Sequence, residues 1–316
     1  MYNIIVVLGP TACGKTSLGV ALANALCGEI ISADSRQVYR GLDIGTGKDL
    51  SEYSITLPDG TIKQIPYHLI DIVSLPEEYS VYDFQQDAYK VITLMQQKNK
   101  LPIVVGGTGM YLDALIRGYD LIKVPTNQQL RKRLEGKPMN ELVKILGELK
   151  GNLHNTTDLT ERHRLLRAIE IAVYYSENHV LPDNQMPPRP NINPLIIGTT
   201  FPRVQLRENI TKRLRSRLKE GMIEEVQQIH DSGISWERLE RLGLEYKFVS
   251  QFLQGKIETQ DELFKHLNIA IGQFAKRQET WFRGMERKGI EINWLDSDSV
   301  ENRFFQAMKL VSDLSK

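Results

Sequence analysis

A run of eight residues, Gly9-Pro10-Thr11-Ala12-Cys13-Gly14-Lys15-Thr16, constrains this chain more than any other feature. An apolar stretch, Ile4 to Leu8, leads into it, and a helix-like stretch, Ser17 to Leu26, leaves it. Strand, glycine loop and helix in that order make a phosphate-binding loop. The glycines let backbone N–H groups turn inward around an anion, and the helix N-terminus adds favourable partial charge. Lys15 supplies a point charge, and the Thr16 hydroxyl can ligate Mg²⁺. The chain therefore handles a di- or triphosphate. The loop alone leaves open whether that phosphate is a donor, a leaving group or an anchor.

The segments around the loop read as α/β. Glu29 to Asp34 is a short strand ending in polar residues, and Gln37 to Gly47 is glycine-punctuated loop. Leu57 to Thr61 is the turn of a small hairpin. Val81 to Gln97 suits an amphipathic helix, because Val81, Phe84, Ala88, Val91, Ile92 and Met95 recur at three- and four-residue spacing. Leu101 to Val105 is a strand that enters the tight turn Gly106-Gly107-Thr108-Gly109, followed by a helix from Met110 to Arg117. Strands alternating with helices predict a parallel sheet with ligands at the carboxyl ends of the strands. From Asn127 to about Asn178 only helical spacing remains. Leu181 to Pro194, with five prolines, reads as a stiff connector. Leu195 to Gly198 returns as a strand, Arg203 to Asp231 is a long helical stretch, Arg238 to Gly255 and Asp261 to Lys288 are further helices, and Ile290 to Trp294 is a last strand. The expected organisation is a P-loop core with a parallel sheet flanked by helices over 1–122 and 195–316, a helical insertion over 123–180, and a connector over 181–194.

Composition enters as a bound. The net charge of +1 excludes a strongly basic nucleic-acid binder but leaves room for a local basic cleft. The only cysteines, Cys13 and Cys27, do not suggest a disulfide framework, and a reducing compartment fits them. Cys13, beside the positive end of a helix, is either a thiol of lowered pKa or a small residue that fits the turn. No run of about 18 apolar residues exists to span a membrane. The chain enters a core strand without a charged leader, so the cytoplasm is the expected location; a monomer is the expected state.

Several residues can carry chemistry. Asp34 ends a strand next to the phosphate loop, where its carboxylate serves as a general base, holds Mg²⁺ through water, or caps the following segment. Ser35 and Gln37 follow in a loop, where they can read a base edge. Thr108 stands between glycines as a ligand-facing hydroxyl or a helix N-cap. Two basic clusters stand out: Arg162-His163-Arg164 with Arg167, and seven basic residues against one acidic between Arg203 and Lys219. Each is either a solvated helix face or a surface for nucleotide or RNA phosphates. Lys276-Arg277 can extend that surface, whereas Trp281 and Phe282 suit a core. His68 reads as structural, and no His/Cys spacing suggests zinc.

Taken together, these segments resemble the tRNA dimethylallyltransferase (tRNA isopentenyltransferase) family. The resemblance rests on Gly9 to Thr16 (GPTACGKT), Ile31 to Gly47, Tyr67 to Ile72 (YHLIDI), Val105 to Leu112 (VGGTGMYL), Arg162 to Glu170 (RHRLLRAIE), Gly221 to Val226 (GMIEEV) and Phe274 to Trp281 (FAKRQETW), all in the family's order. It implies a dimethylallyl group carried from dimethylallyl diphosphate to the exocyclic amine of the adenine 3′-adjacent to the anticodon in tRNA. By the same resemblance, residues Gly9, Thr11, Ala12, Cys13, Gly14, Lys15 and Thr16 hold the diphosphate, with Mg²⁺ at Thr16. Arg213 faces the pyrophosphate, and Asp34 is the general base. It also implies tRNA contacts by Asp34, Ser35, Arg36, Gln37 and Thr108, and a grip on the anticodon stem-loop by His163, Arg164, Leu165, Leu166 and Arg167. The chain departs from the family at four places. Cys13 replaces a serine or threonine, Tyr67 a common histidine, Asn209 an arginine one turn before Arg213, and Ile271-Gly272 a threonine–arginine pair. The Asn209 departure leaves the pyrophosphate clamp either weaker or completed by Arg217. With no zinc finger after the core, a bacterial or organellar type is expected.

Three other readings share parts of this pattern: a small-molecule P-loop kinase, an adenylate isopentenyltransferase acting on free nucleotides, and an RNA-binding P-loop protein. Against the kinase, Val104-Val105-Gly106 ends in glycine where an Mg²⁺-holding aspartate is expected, although Asp34 or Asp71 can substitute.

Overall fold

The structure, a computed structural model, describes residues 2–150, 161–178, 189–296 and 299–313. The expected α/β architecture is present. Strands β1 (Ile4–Leu8), β2 (Glu29–Ser32), β5 (Tyr67–His68), β6 (Pro102–Gly106), β7 (Pro194–Gly198) and β8 (Asn293–Trp294) form one sheet in the order β5-β2-β6-β1-β7-β8. Every adjacent pair is parallel. A parallel sheet is covered on both faces, which is why β1 and β6 read as unbroken apolar runs rather than alternating ones. Register aligns Leu8 with both Gly106 and Gly198, and Ser32 with Val105. The turns that follow β1, β2, β6 and β7 therefore emerge along one edge. The hairpin around Leu57 to Thr61 joins β3 (Ser54–Thr56) to β4 (Ile62–Gln64) as a separate pair.

The helices cover the sheet by burying their apolar stripes. Helix α1 (Lys15–Ala25) and α12 (Val300–Asp313) pack with Ile5, Val7, Ile30 and Ile197. Helix α2 (Val81–Gln97) starts at a capping box made by Ser80 and Asp83, and buries Phe84, Ala88, Ile92 and Met95. Together with α3 (Gly109–Arg117) it covers the other face, where Phe84 stacks on Tyr111 with ring centroids 4.2 Å apart.

Three elements differ from expectation. The stretch from Arg203 to Asp231 is two helices, α7 (Arg203–Lys219) and α8 (Met222–Asp231), because Gly221 takes φ +100, a value a side chain rarely tolerates. The helix expected from Arg238 to Gly255 is likewise α9 (Trp236–Leu239) and α10 (Leu244–Leu253). Helix α12 was not anticipated. It carries Phe304, Ala307, Met308 and Val311 at helical spacing into the core that also holds α1. Helix α11 (Gln260–Arg287) runs as expected and buries Phe282, while Trp281 packs against the core.

The chain divides into two compact units, Met1–Tyr119 with Arg189–Lys316, and Asp120–Pro188. The second contains α4 (Gln128–Leu134), α5 (Met139–Lys150) and α6 (Arg162–Asn178) around Leu130, Leu142, Leu146, Leu165 and Ile169. Residues 181–188 of the expected connector lie outside the described residues. Cys13 and Cys27 are both free thiols. Among the described residues no helix is long and apolar enough to cross a membrane.

Candidate active site

The phosphate loop joins β1 to α1. Gly14 sits at the helix N-cap in the left-handed conformation, φ 78, and no side chain caps the first turn. The leading N–H groups of α1 are left for an anion. A loop with its N–H groups turned inward presents its carbonyls outward, and each needs a donor. Lys15 Nζ donates to Pro10 O at 2.5 Å, Asn209 Nδ2 to Ala12 O at 3.4 Å, and Arg303 Nη1 to Cys13 O at 2.7 Å. The Cys13 thiol is fully buried, 2.9 Å from Thr199 Oγ1, so it acts as a small residue that fits the turn. The Thr16 hydroxyl is partly exposed and has no hydrogen-bond partner among the described residues. That leaves it available to a cation.

Asp34 follows β2, with β6 standing between it and the strand that leads into the loop. The structure shows the capping contacts of its carboxylate and leaves one oxygen open. Oδ1 accepts from Arg36 N at 2.8 Å and Gln37 N at 3.4 Å, capping the turn, while Oδ2 has no partner among the described residues. Thr108 occupies the N-cap position of α3, yet its side chain does not cap the helix. Its Oγ1 instead accepts from Ser35 N at 3.0 Å and donates to Ser35 Oγ at 3.4 Å. Gln37 is engaged on both sides, accepting from Ser32 Oγ at 3.2 Å and donating to Gly47 O at 3.5 Å. The Arg36 guanidinium makes no hydrogen bond to the described residues. Burial pushes its pKa down, against the pull of Tyr39, Tyr111 and Asp34. Such a group is ready for an anion or a base edge.

On α7, Asn209, Arg213 and Arg217 recur every four residues along one face. Asn209 touches the phosphate loop. Arg213 Nη2 donates to Gly47 O at 3.2 Å, and Arg217 Nη1 lies 3.4 Å from Gly45 O and 3.5 Å from Glu245 Oε1. Arg217 is 9% exposed, and its pKa falls to about 10 because of burial and the neighbouring Arg213 charge. Burial pushes the Glu245 carboxyl up, though Arg217 opposes it. Gly47, at φ +64, makes room for both guanidiniums: a Cβ there would stand 1.6 Å from Arg217 Nη2 and 2.5 Å from Arg213 Nη2.

Several residues that sequence reasoning did not single out hold this arrangement. Glu225 accepts from the backbone N–H groups of Asp43, Ile44 and Gly45 at 3.0, 2.6 and 3.0 Å and from Tyr246 Oη at 2.7 Å, fixing the loop that meets the two arginines. Lys48 is buried and bridges Asp43 and Asp71. Gln278 of α11 accepts from Thr11 N and donates to Gly107 O, both at 2.8 Å. This places one amide between the phosphate loop and the turn that carries Thr108. Glu225 and Gln278 lie inside the quoted segments GMIEEV and FAKRQETW, so position marked them while role did not. His68 bonds Glu29 at 2.8 Å within the sheet, confirming it as structural.

The insertion residues separate by environment. His163 and Arg164 are exposed on α6. Leu165 is fully buried in the insertion core and Leu166 packs against it. Arg167 donates to Glu170 Oε2 at 3.1 Å and Val124 O at 2.7 Å. Arg131 meets the same carboxylate at 2.6 Å and 3.0 Å. Burial works to raise the Glu170 pKa, but these hydrogen bonds outweigh it and hold the carboxyl below its usual range. Arg167 is therefore part of the insertion's internal framework.

A glycine loop at a helix N-terminus, a carboxylate with one open oxygen and a pair of guanidiniums stand along one sheet edge, an arrangement suited to a group-transfer enzyme. Residues 37–285 match a family model described as IPP transferase, and residues 2–55 one described as isopentenyl transferase. A tRNA dimethylallyltransferase of Treponema denticola is 55% identical over 294 residues, spanning 93% of this chain and 96% of the relative. One from Geotalea daltonii is 50% identical, spanning 94% and 91%. The solved tRNA isopentenylpyrophosphate transferase of Bacillus halodurans superposes with a TM-score of 0.66 at 31% identity, over 100% of this chain and 99% of that one. A eukaryotic dimethylallyltransferase acting on tRNA shares the fold, with a TM-score of 0.73 at 24% identity over 99% and 79%. The chain belongs to the tRNA dimethylallyltransferase (isopentenyltransferase) family.

Proposed function

We propose that this protein transfers a dimethylallyl group from dimethylallyl diphosphate to the exocyclic amine of the adenine 3′-adjacent to the anticodon in tRNA. The observation that carries this reading is the hydrogen-bonded path from Thr11 through Gln278 to the Gly107-Thr108 turn and on to Ser35 beside Asp34. It joins a diphosphate-holding loop to an acceptor-side carboxylate. The turns after β1 and β2 flank that of β6, so they stand about 10 Å apart, two strand spacings. That separation suits a donor on one side and an acceptor amine on the other.

The chemistry follows from these groups. The Asp34 Oδ2 oxygen takes the proton as the carbon–nitrogen bond forms, while the capping bonds to Oδ1 hold the carboxylate in orientation. Pyrophosphate leaves as an anion. Lys15, the α1 N–H groups, Arg213 and Arg217 stabilise the charge that develops. Lys15 must release Pro10 O to reach the diphosphate. Thr16 fits as the one protein ligand of Mg²⁺, an ion that keeps waters and phosphate oxygens as its other ligands; when bound, it would neutralise charge on the leaving group. Arg36, Gln37 and Thr108 serve the base and its neighbours, and the exposed His163 and Arg164 meet the anticodon stem-loop backbone. The protein acts as a monomer in the cytoplasm, with residues 123–180 as its RNA-gripping insertion.

The test uses purified protein, Mg²⁺, unmodified tRNA and labelled dimethylallyl diphosphate. Label enters tRNA. Transfer to free AMP instead, or phosphorylation from ATP, refutes the assignment.

A further inference from the structure

The C-terminal helix α12 carries a charged residue that the reaction described above does not use. Arg303 is 1% exposed. A guanidinium at that depth needs partners, and it finds them on two turns at the active edge of the sheet. Nη1 donates to Cys13 O at 2.7 Å, inside the phosphate loop, and Nη2 to Thr200 O at 2.5 Å, after β7. Its Cζ stands 3.9 Å from the centroid of the Phe201 ring. A Cβ built on Gly14 would lie 3.8 Å from Nη1. The charge therefore lies close behind the left-handed glycine that opens α1.

Anchoring α12 needs no such group, because Ala307 and Val311 already bury its apolar side. The loop does need it. Inward N–H groups require outward carbonyls, and an outward carbonyl in a buried place requires a donor. Arg303 is that donor for Cys13, and its fork geometry ties the same loop to Thr200. Its fixed charge also faces a water-poor region, where it favours an anion on the loop's open side.

We infer that Arg303 is a positioning residue for the diphosphate: it holds the loop in its anion-receiving conformation without touching the donor. The inference rests on the loop being the diphosphate site. Arg303→Met and Arg303→Lys are made in the full chain, and binding of inorganic pyrophosphate with Mg²⁺ is measured by calorimetry beside steady-state kinetics. In Arg303→Met the pyrophosphate Kd and the donor KM rise about tenfold or more, the loss of a charge-assisted hydrogen bond. The tRNA KM stays unchanged. Arg303→Lys recovers part of the loss, since one ammonium still reaches one carbonyl. A purely structural role would lower kcat through the active fraction and leave both donor constants alone. A pyrophosphate Kd within twofold of wild type in Arg303→Lys and Arg303→Met overturns the inference, and the lysine variant decides alone if the methionine variant fails to fold. Wild-type protein that binds pyrophosphate yet prenylates no tRNA would instead refute the proposed function.

Discussion

Substituting Gly47 by alanine tests the paired-guanidinium site from its empty side. The new Cβ would overlap Arg217 Nη2 at 1.6 Å and crowd Arg213 Nη2 at 2.5 Å. Both atoms are the far ends of flexible side chains, so the fold survives and the guanidiniums move. Holding φ +64 with an L residue costs about 1–2 kcal/mol. The functional cost is larger. Each hydrogen bond to a charged group contributes about 1.5–3 kcal/mol, and about 1.4 kcal/mol is tenfold in rate. Losing one well-placed guanidinium therefore lowers kcat/KM for the diphosphate donor by roughly 10- to 100-fold. Steady-state kinetics with labelled donor and saturating tRNA read this directly. Because Gly47→Ala acts chiefly through Arg217, the nearer group, it is strongly non-additive with Arg217→Ala, and the double variant loses little more than the worse single one. Donor kcat/KM within twofold of wild type, or full additivity in the cycle, refutes the reasoning.

Other outcomes follow from the same geometry. Asp34→Ala lowers kcat by roughly 10²–10⁴, the range of general base catalysis, while filter binding shows tRNA affinity largely kept; unchanged turnover removes Asp34 from the mechanism. Arg217→Met strips Glu245 of the charge that opposes its raised pKa. A carboxyl held above its ordinary 4.5 in the folded state keeps its proton there longer than in the unfolded chain. Stability of Arg217→Met therefore falls more steeply than wild type as pH rises past 4.5, and Glu245→Gln in that background flattens the profile; thermal denaturation across pH checks both. Arg164→Glu weakens tRNA binding and lowers the magnitude of its salt slope by about 1, one phosphate contact. Arg167→Glu instead sets a second, half-buried carboxylate against the buried Glu170, so limited proteolysis detects an opened insertion.

Much of the site was legible because its motifs are local. The run Gly9 to Thr16 needs only a strand before it and a helix after it, and both form where expected. Val81 to Gln97 forms as its apolar spacing requires, since one helix face settles it. The helix breaks at Gly221 and Gly243 were harder to see, because their flanking residues continue helical spacing and only the backbone conformation departs. Helix α12 carries an apolar stripe, Phe304, Ala307, Met308 and Val311, at helical spacing. Arg164 and Arg167 look equivalent at helical spacing. Only the partner Glu170 and its contact with Arg131 separate an exposed cation from an internal one.

The amino-acid order by itself determined the phosphate loop, the alternating α/β architecture, the family resemblance and the candidate base. Each rests on short runs of residues, read singly or in their order along the chain, where φ/ψ preference and side-chain periodicity decide the local outcome. Tertiary structure alone decided which groups complete the site. Arg303 meets Cys13 across 290 positions of chain, Gln278 meets Thr11 across 267, and Glu225 caps Gly45 across 180. Nothing in the local sequence encodes such pairings. They arise because parallel strands deliver distant turns to one edge, and each buried carbonyl or N–H brought there must find a partner.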